Sequence, residues 1–200
     1  IQQGRLINPE TQLDQITDIY IENQLIVSTT EKPSGFEADK VIDAQGKLIL
    51  PGLVDIQCRV RQPGYTHKAT ISSETNAAAL NGITSLCIPP DSSPPTDNSA
   101  VVEMIHHNNQ KAGNRCHIYT IGAITKGLEG EQLSNMGTLK KAGCIALSNA
   151  IKPFSNNLVQ RRAMEYAAGQ NMLVVIQPYD YALYANGCAH EGALAARLGL

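Results

Sequence analysis

The sequence predicts an α/β protein in which a small β-sandwich layer precedes about the first five β/α units of a parallel (β/α) barrel. Two observations support this fold class. Short apolar runs alternate with helix-compatible segments at a spacing of about 30 residues, which is the pattern that consecutive β/α units produce. The residues ahead of the first unit differ, because short β-type segments follow one another there without a helical period.

The predicted β layer covers residues 1–52. Polar and apolar residues alternate in three pieces separated by polar turns, GRLINPET, ITDIYIENQLIV and KVIDAQGKLILPG. The dipeptide Pro51-Gly52 ends this part, since both residues interrupt regular secondary structure. We therefore place a domain boundary there and assign residues 53–200 to the N-terminal portion of the barrel.

Five buried strands are predicted in the second domain. Most of the apolar runs begin just after a glycine, which is typical of the point where a helix ends. Parallel strands require a crossover of a dozen or more residues, and strands buried on both faces have continuous apolar sequences. The predicted strands lie near residues 53–60, 84–89, 117–123, 144–148 and 173–177. Helices are predicted at residues 72–81, 99–112, 129–142, 156–171 and 182–199.

The predicted barrel is not closed within this sequence. A closed barrel of eight β/α units needs about 250 residues, and the residues after the β layer suffice for five units. We therefore expect the chain to be part of a longer one. The edge strands of an open barrel have unpaired backbone groups that favour association with a second chain, so an oligomer is expected.

Composition and charge exclude several classes of partner. Sixteen basic and eighteen acidic residues give a net charge of −2, and no basic cluster indicates binding to nucleic acid or to an anionic membrane. No apolar run approaches the roughly 20 residues that span a bilayer, and the N-terminus has no signal-peptide pattern. Five cysteines without a CxxC pair argue against a disulfide framework and a zinc knuckle. A cytoplasmic location is expected.

The first predicted barrel strand has a row of polar side chains. Side chains alternate between the two faces of a strand, and in LVDIQCRVRQPG the residues on one face are Asp55, Gln57, Arg59 and Arg61. The apolar residues between them are expected to face the helices, which leaves the polar row at the interior or mouth of the barrel. Such a row costs free energy unless its members serve a site or pair with one another.

Several motifs resemble those of the dihydroorotases, zinc enzymes of the amidohydrolase superfamily. The stretch LPGLVDIQCRVRQPG is similar to the family's first-strand motif, Asp-x-His-x-His-x-Arg-x-Pro-Gly. Similar pieces follow in the family's order, GITSLCIPPDSSPPTDN, ALSNAI and VIQPYD, with GRLINPE and IDAQGKLILPGLVD before them. The resemblance extends over nearly the whole chain and implies an amidohydrolase-type (β/α) barrel.

The sequence departs from the family at the metal-binding positions. The resemblance places zinc ligands at four positions, which here hold Gln57, Arg59, Asn149 and Gln177. Carboxamides are poor zinc ligands, and a guanidinium repels a cation. We therefore expect no bound metal and no other cofactor, although the resemblance implies zinc in active relatives. No catalytic residue is assigned.

The two arginines of the first strand have different expected roles. Arg59 is expected to pair with Asp55 or with an acidic group from a later strand, and so to fill the former metal site. Arg61 matches the arginine that holds the substrate carboxylate in relatives, a role that suits a bidentate guanidinium. A structural role that ties the strand to a loop fits Arg61 equally well. Asp91, which stands where relatives have an asparagine, does not favour an anionic ligand.

The resemblance and these departures predict a catalytically inactive, dihydroorotase-like protein of pyrimidine biosynthesis. The resemblance also implies a partner, because some inactive relatives assemble with the catalytic chain of aspartate carbamoyltransferase. Two alternatives stay open at the level of sequence. One is an active zinc-dependent cyclic amidohydrolase that converts dihydroorotate to N-carbamoyl-L-aspartate. The other is a non-enzymatic adaptor built on the same fold.

Overall fold

The computed structural model of the chain describes residues 1–178, 187 and 189–199. The chain divides into two compact units, Ile1–Gly52 and Leu53–Leu200. Each unit buries apolar side chains of its own. Among the helices of the described residues, none is both long enough and apolar enough to cross a membrane.

The first unit consists of five short β-strands. β1 (Gly4–Asn8) pairs antiparallel with β2 (Leu13–Thr17) and parallel with β5 (Leu48–Ile49). β3 (Tyr20–Glu22) and β4 (Leu25–Ser28) form a separate antiparallel hairpin. The alternating segments of the sequence therefore form β structure, as their two-residue period predicts.

The second unit contains a five-stranded parallel sheet in the order β6-β7-β8-β9-β10. Its strands are β6 (Leu53–Asp55), β7 (Ile83–Ile88), β8 (His117–Ala123), β9 (Ala146–Ser148) and β10 (Leu173–Val175). Every neighbouring pair is parallel, so each strand returns through a crossover before the next begins. The sheet is curled like half of a barrel, which confirms the predicted α/β fold class.

Helices lie in the crossovers and after the last strand. They are α1 (Ile71–Leu80), α2 (Ser99–Lys111), α3 (Met136–Lys141), α4 (Asn157–Gly169) and α5 (Ala193–Leu198), with a short 3₁₀ segment at Lys126–Leu128. A capping box formed by Thr70 and Ser73 begins α1, and asparagine side chains cap the first turns of α2, α3 and α4. These caps satisfy backbone N–H groups that have no partner within the helix.

The second and third strands of the sheet have the predicted lengths, whereas the first, fourth and fifth are shorter than predicted, most clearly the first. β6 ends at Asp55, whose carboxylate Oδ1 accepts a hydrogen bond from the backbone N–H of Gln57 at 2.9 Å. Aspartate commonly turns the chain in this way. The prediction of a strand through residue 60 is therefore wrong, and so is the single polar face that it implied.

Two helices also differ from their predicted bounds. The helix predicted at residues 129–142 begins only at Met136. Gly130 has a φ of +78° and lies against the backbone of Pro153, so the preceding chain turns there and leaves no room for a side chain. Of the helix predicted at residues 182–199, the part Ala193–Leu198 is helical, and residues 182–186 and 188 lie outside the described residues.

The sheet has two different faces. The face toward the helices carries the largest buried cluster, in which Val102, Leu139 and Leu147 are fully buried. The opposite face has a smaller buried group, formed by Cys87, Ile121 and Ala146. Because neighbouring residues of a strand point to opposite faces, Ala146 and Leu147 belong to different clusters. The second face is the one on which a cleft lies.

We expect Leu147→Ala to destabilise the protein by about 2–5 kcal/mol, because it leaves a cavity among side chains that cannot collapse around it. Urea unfolding followed by circular dichroism measures this change. Leu158→Ala is the matched control, since Leu158 on α4 is 56% exposed, and it should change the free energy of unfolding by less than about 1 kcal/mol. Equal effects of the two substitutions would contradict the assignment of this core.

Candidate functional site

A cleft of about 620 Å³ lies on the face of the sheet opposite the helices. Its apolar lining comes from several strands and includes Cys87, Ile121, Ala146, Leu173 and Val175. Its polar lining consists of Gln57, Arg59, Ser148 and Gln177. The carboxyl ends of parallel strands meet at one edge of a sheet, and ligand sites of α/β proteins form at such edges. The cleft is therefore the candidate functional site.

Three of the four predicted former metal positions line this cleft. Gln57 follows the end of β6, Arg59 comes two residues later, and Gln177 follows β10. The tertiary structure thus brings together residues that are 120 positions apart in the sequence.

Arg59 is held by an ion pair. Its Nε donates a hydrogen bond to Oδ2 of Asp91 at 2.7 Å, and the two side chains are 32% and 25% exposed. Asp91 lies in the loop after β7, so Arg59 pairs with an acidic group that follows a later strand and does not belong to the strand itself. The other expected partner, Asp55, instead accepts a hydrogen bond from the backbone of Gln57.

Arg61 lies in the loop after β6 and not on a strand. Its φ is +61°, which is a left-handed conformation that a non-glycine residue adopts at some cost. The side chain is exposed, and its backbone carbonyl accepts a hydrogen bond from the N–H of Tyr65 at 2.8 Å. Arg61 lines a small cavity of about 20 Å³ beside the cleft, together with Arg59 and Asp91. The prediction that Arg61 extends the polar row of a strand is wrong.

Asn149, the fourth predicted position, is buried and serves the structure of a loop. Its Oδ1 accepts hydrogen bonds from the hydroxyl of Thr125 at 2.7 Å and from the N–H of Thr125 at 3.2 Å. Its Nδ2 donates to the carbonyl of Lys152 at 3.2 Å. The residues on either side, Ser148 and Ala150, line the cleft instead. Both the oxygen and the nitrogen of the Asn149 amide are therefore hydrogen-bonded to residues that do not line the cleft.

Sequence reasoning missed the contribution of Thr125 to this network. The Thr125 hydroxyl also accepts a hydrogen bond from the N–H of Gly130 at 3.0 Å, which joins β8, the following loop and β9. Buried polar groups are hydrogen-bonded as a rule, but Thr125 and Asn149 are 24 residues apart. No local pattern in the sequence identifies such a pair.

The cysteine thiols near the site are poorly ionised. Burial, followed by the negative charge of Asp55, raises the pKa of Cys58 to about 11. Burial also raises the pKa of Cys87, which lines the cleft. A thiol reacts and binds metals as its thiolate. Burial therefore suppresses both the reactivity and the metal binding of Cys58 and Cys87.

The donor set of the cleft does not fit a zinc ion. Zinc in proteins is bound by thiolate, imidazole and carboxylate groups, whereas the polar lining here consists of two carboxamides, one hydroxyl and one guanidinium. Over the described ranges of the chain, no group of three or more His, Cys, Asp and Glu residues is placed to hold a metal ion. The guanidinium would also repel a divalent cation about 4 Å away by about 2 kcal/mol even in a water-like medium.

The fold defines the class of the protein as an amidohydrolase-type (β/α) barrel, of which the described residues form five strands. A solved structure with this fold is the L-hydantoinase (dihydropyrimidinase) from Arthrobacter aurescens, which aligns with a TM-score of 0.71. The alignment covers 88% of this chain and 39% of the hydantoinase, with 18% sequence identity. At that identity the similarity establishes the fold alone.

The chain belongs to the dihydro-orotase-like family, whose model matches residues 46–200. A dihydroorotase-like protein of Pseudomonas putida is 45% identical over 98% of this chain and 46% of its own length. A dihydroorotase of Trichlorobacter lovleyi is 36% identical over all of this chain and 47% of its own length. The chain therefore spans about half the length of the curated relatives that it matches.

We expect Cys58 to be alkylated about a hundredfold more slowly at pH 8 than a thiol with the ordinary pKa of 9.0, because a pKa near 11 leaves far less thiolate. The rate should rise about tenfold per pH unit up to the region of pH 11. Iodoacetamide labelling with peptide mass spectrometry measures it for each cysteine separately.

The control for this prediction is Asp55→Asn, which retains an oxygen that can accept the hydrogen bond from Gln57 and removes the negative charge. It should lower the pKa of Cys58 and speed its alkylation at pH 8. A labelling rate that levels off near pH 9 in the unchanged protein would contradict the raised pKa.

Proposed function

We propose that the protein is a catalytically inactive, dihydroorotase-like protein of pyrimidine biosynthesis. The observation that carries this proposal is the ion pair between Arg59 and Asp91 at the cleft. The permanently charged guanidinium of Arg59 lies where the family resemblance implies a zinc ligand. The carboxylate of Asp91 is already engaged in the ion pair with this guanidinium. The two glutamines of the cleft cannot replace imidazoles as zinc ligands.

The lack of suitable ligands among the described cleft residues matters because the hydrolysis of a cyclic amide needs an activated water molecule. In metal-dependent hydrolases a bound ion lowers the pKa of water and polarises the carbonyl group under attack. Neither a carboxamide nor a guanidinium generates a nucleophile at neutral pH. The cleft residues of this chain therefore support binding and packing better than they support hydrolysis.

As a further part of the proposal, the protein acts as a structural partner of the catalytic chain of aspartate carbamoyltransferase. Support comes from the combination of a retained scaffold with altered reactive groups. The chain keeps the capped helices, the parallel sheet and the buried cluster around Leu147, while its former ligand positions hold other residues. A protein whose role is assembly depends on its folded scaffold and does not need metal ligands.

The second candidate is an active cyclic amidohydrolase of the dihydroorotase type. The relative from Trichlorobacter lovleyi, which is named a dihydroorotase, favours it by its 36% identity over all of this chain. The substitutions at Gln57 and Arg59 oppose it. Metal content and ring-opening activity distinguish the two candidates directly.

We expect the purified full-length protein to contain zinc far below one ion per chain and to leave dihydroorotate unopened. Elemental analysis by mass spectrometry and chromatography of N-carbamoyl-L-aspartate measure these two properties. The dihydroorotase of Trichlorobacter lovleyi, purified in the same way, is the control for both assays. About one or two zinc ions per chain together with ring opening would establish the second candidate.

We expect the full-length protein to co-sediment at fixed stoichiometry with the aspartate carbamoyltransferase chain of the same organism. Sedimentation velocity of each protein alone and of their mixture tests this expectation. An inactive protein that sediments independently of its proposed partner would contradict the assembly role and favour a non-enzymatic adaptor with another partner.

A further inference from the structure

Two loops meet at the carboxyl end of β6 and β7. The first loop contains residues 59–64 and the second contains residues 89–96. The side chains of Arg59 and Asp91 join them through the 2.7 Å ion pair. The backbone also joins them, because the N–H of Ser93 donates to the carbonyl of Pro63 at 3.3 Å.

The close approach of the two loops depends on Gly64. This residue has a φ of +100°, and a Cβ there would collide with the backbone carbonyl of Ser93 and lie 2.5 Å from its Cβ. A residue with a side chain would therefore push the loops apart. We call the contact between residues 59–64 and 89–96 the junction. The ion pair and the close approach at Gly64 both act across it, so each contact holds the two loops at the separation that the other contact needs.

The junction is connected to the rest of the barrel unit on both sides. On the first loop, the side-chain Oε1 of Gln62 accepts a hydrogen bond from the N–H of Ile71 at the start of α1, at 2.9 Å. On the second loop, the carbonyl of Thr96 accepts a hydrogen bond from the N–H of Ala123 at the end of β8, at 2.7 Å. Each loop is thus anchored to a neighbouring element, to α1 or to β8, so opening can be confined to the contact between the two loops.

The burial of the ion pair determines how strongly it can act. Fully exposed pairs contribute little to stability because water and salt screen them. Breaking a buried pair is costly because one charge is left without a partner. Arg59 and Asp91, at 32% and 25% exposure, lie between these limits. Loss of either partner should therefore be measurable at the junction without unfolding the protein.

We infer that Arg59 and Asp91 form a latch that holds the two loops together and keeps the Arg59 side chain in the cleft. The shape of this end of the cleft is then set by an ion pair internal to the chain. The inference goes beyond the proposed function, because it concerns how the cleft is held and not whether the protein hydrolyses anything. It stands or falls independently of metal content and partner binding.

Hydrogen exchange of the full-length protein tests the latch at single amides. The N–H of Ser93 reports on the junction, since its acceptor lies on the other loop. The N–H of Ile124, which donates to the carbonyl of Ser148 at 3.0 Å, reports on opening of the sheet. In both Arg59→Gln and Asp91→Asn, the Ser93 amide should exchange about tenfold faster while the Ile124 amide is unchanged.

The double variant Arg59→Gln/Asp91→Asn should exchange at Ser93 no faster than either single variant, because the shared interaction is lost only once. The matched control is the exposed pair Arg161 and Glu165 on α4, at 2.9 Å. Arg161→Gln and Glu165→Gln should leave both reporter amides unchanged. Additive effects of the first two substitutions, or an equal response to the control substitutions, would overturn the inference.

Arg59→Lys keeps the experiment informative if the neutral variants fail to fold. Lysine retains the charge but cannot present the guanidinium Nε in a fixed plane. If the ion pair is a latch, the Ser93 amide of Arg59→Lys should exchange faster than in the unchanged protein, by less than tenfold. The exchange rate of the Ile124 amide should stay the same. An unchanged Ser93 rate in Arg59→Lys, or a faster rate at both amides, would contradict a local latch.

Discussion

Parallel pairing of β6 to β10 is the constraint on which the barrel unit depends. Parallel neighbours cannot be joined by a tight turn, so each strand is followed by a crossover that covers one face of the sheet with a helix. The same arrangement brings all five carboxyl ends to one edge. Gln57, Arg59 and Gln177 meet at the cleft for this reason, although the sequence separates the first from the last by 120 positions.

The cleft combines apolar walls with a few polar residues at its rim. The walls are apolar and both faces of the sheet bury apolar clusters, so the hydrophobic stabilisation of the fold comes mainly from residues other than the polar ones at the rim. Arg59 would be costly there as an isolated charge, and Asp91 offsets this cost. Asn149 is used differently, since its amide stabilises the loop that contains Thr125.

The relatives place this chain within a family that includes proteins named for dihydroorotase activity and proteins named only as similar to it. Identity is 45% with the dihydroorotase-like protein of Pseudomonas putida and 36% with the dihydroorotase of Trichlorobacter lovleyi. Identity of this size shows membership of one family and does not by itself distinguish an active member from an inactive one. The proposed function therefore depends on the side chains of Gln57, Arg59 and Gln177 at the cleft.

The sequence by itself determined the fold class, since a change from alternating segments to β/α periodicity reflects which faces are buried. It also determined which residue types stand at positions 57, 59, 149 and 177, because chemical identity does not depend on folding. Only the tertiary structure decided that β6 stops at Asp55 and that Arg59 pairs with Asp91. It also decided that Asn149 is directed to Thr125. Hydrogen bonds and ion pairs between distant segments depend on the mutual position of strands and loops, and a local pattern of residues does not contain that information.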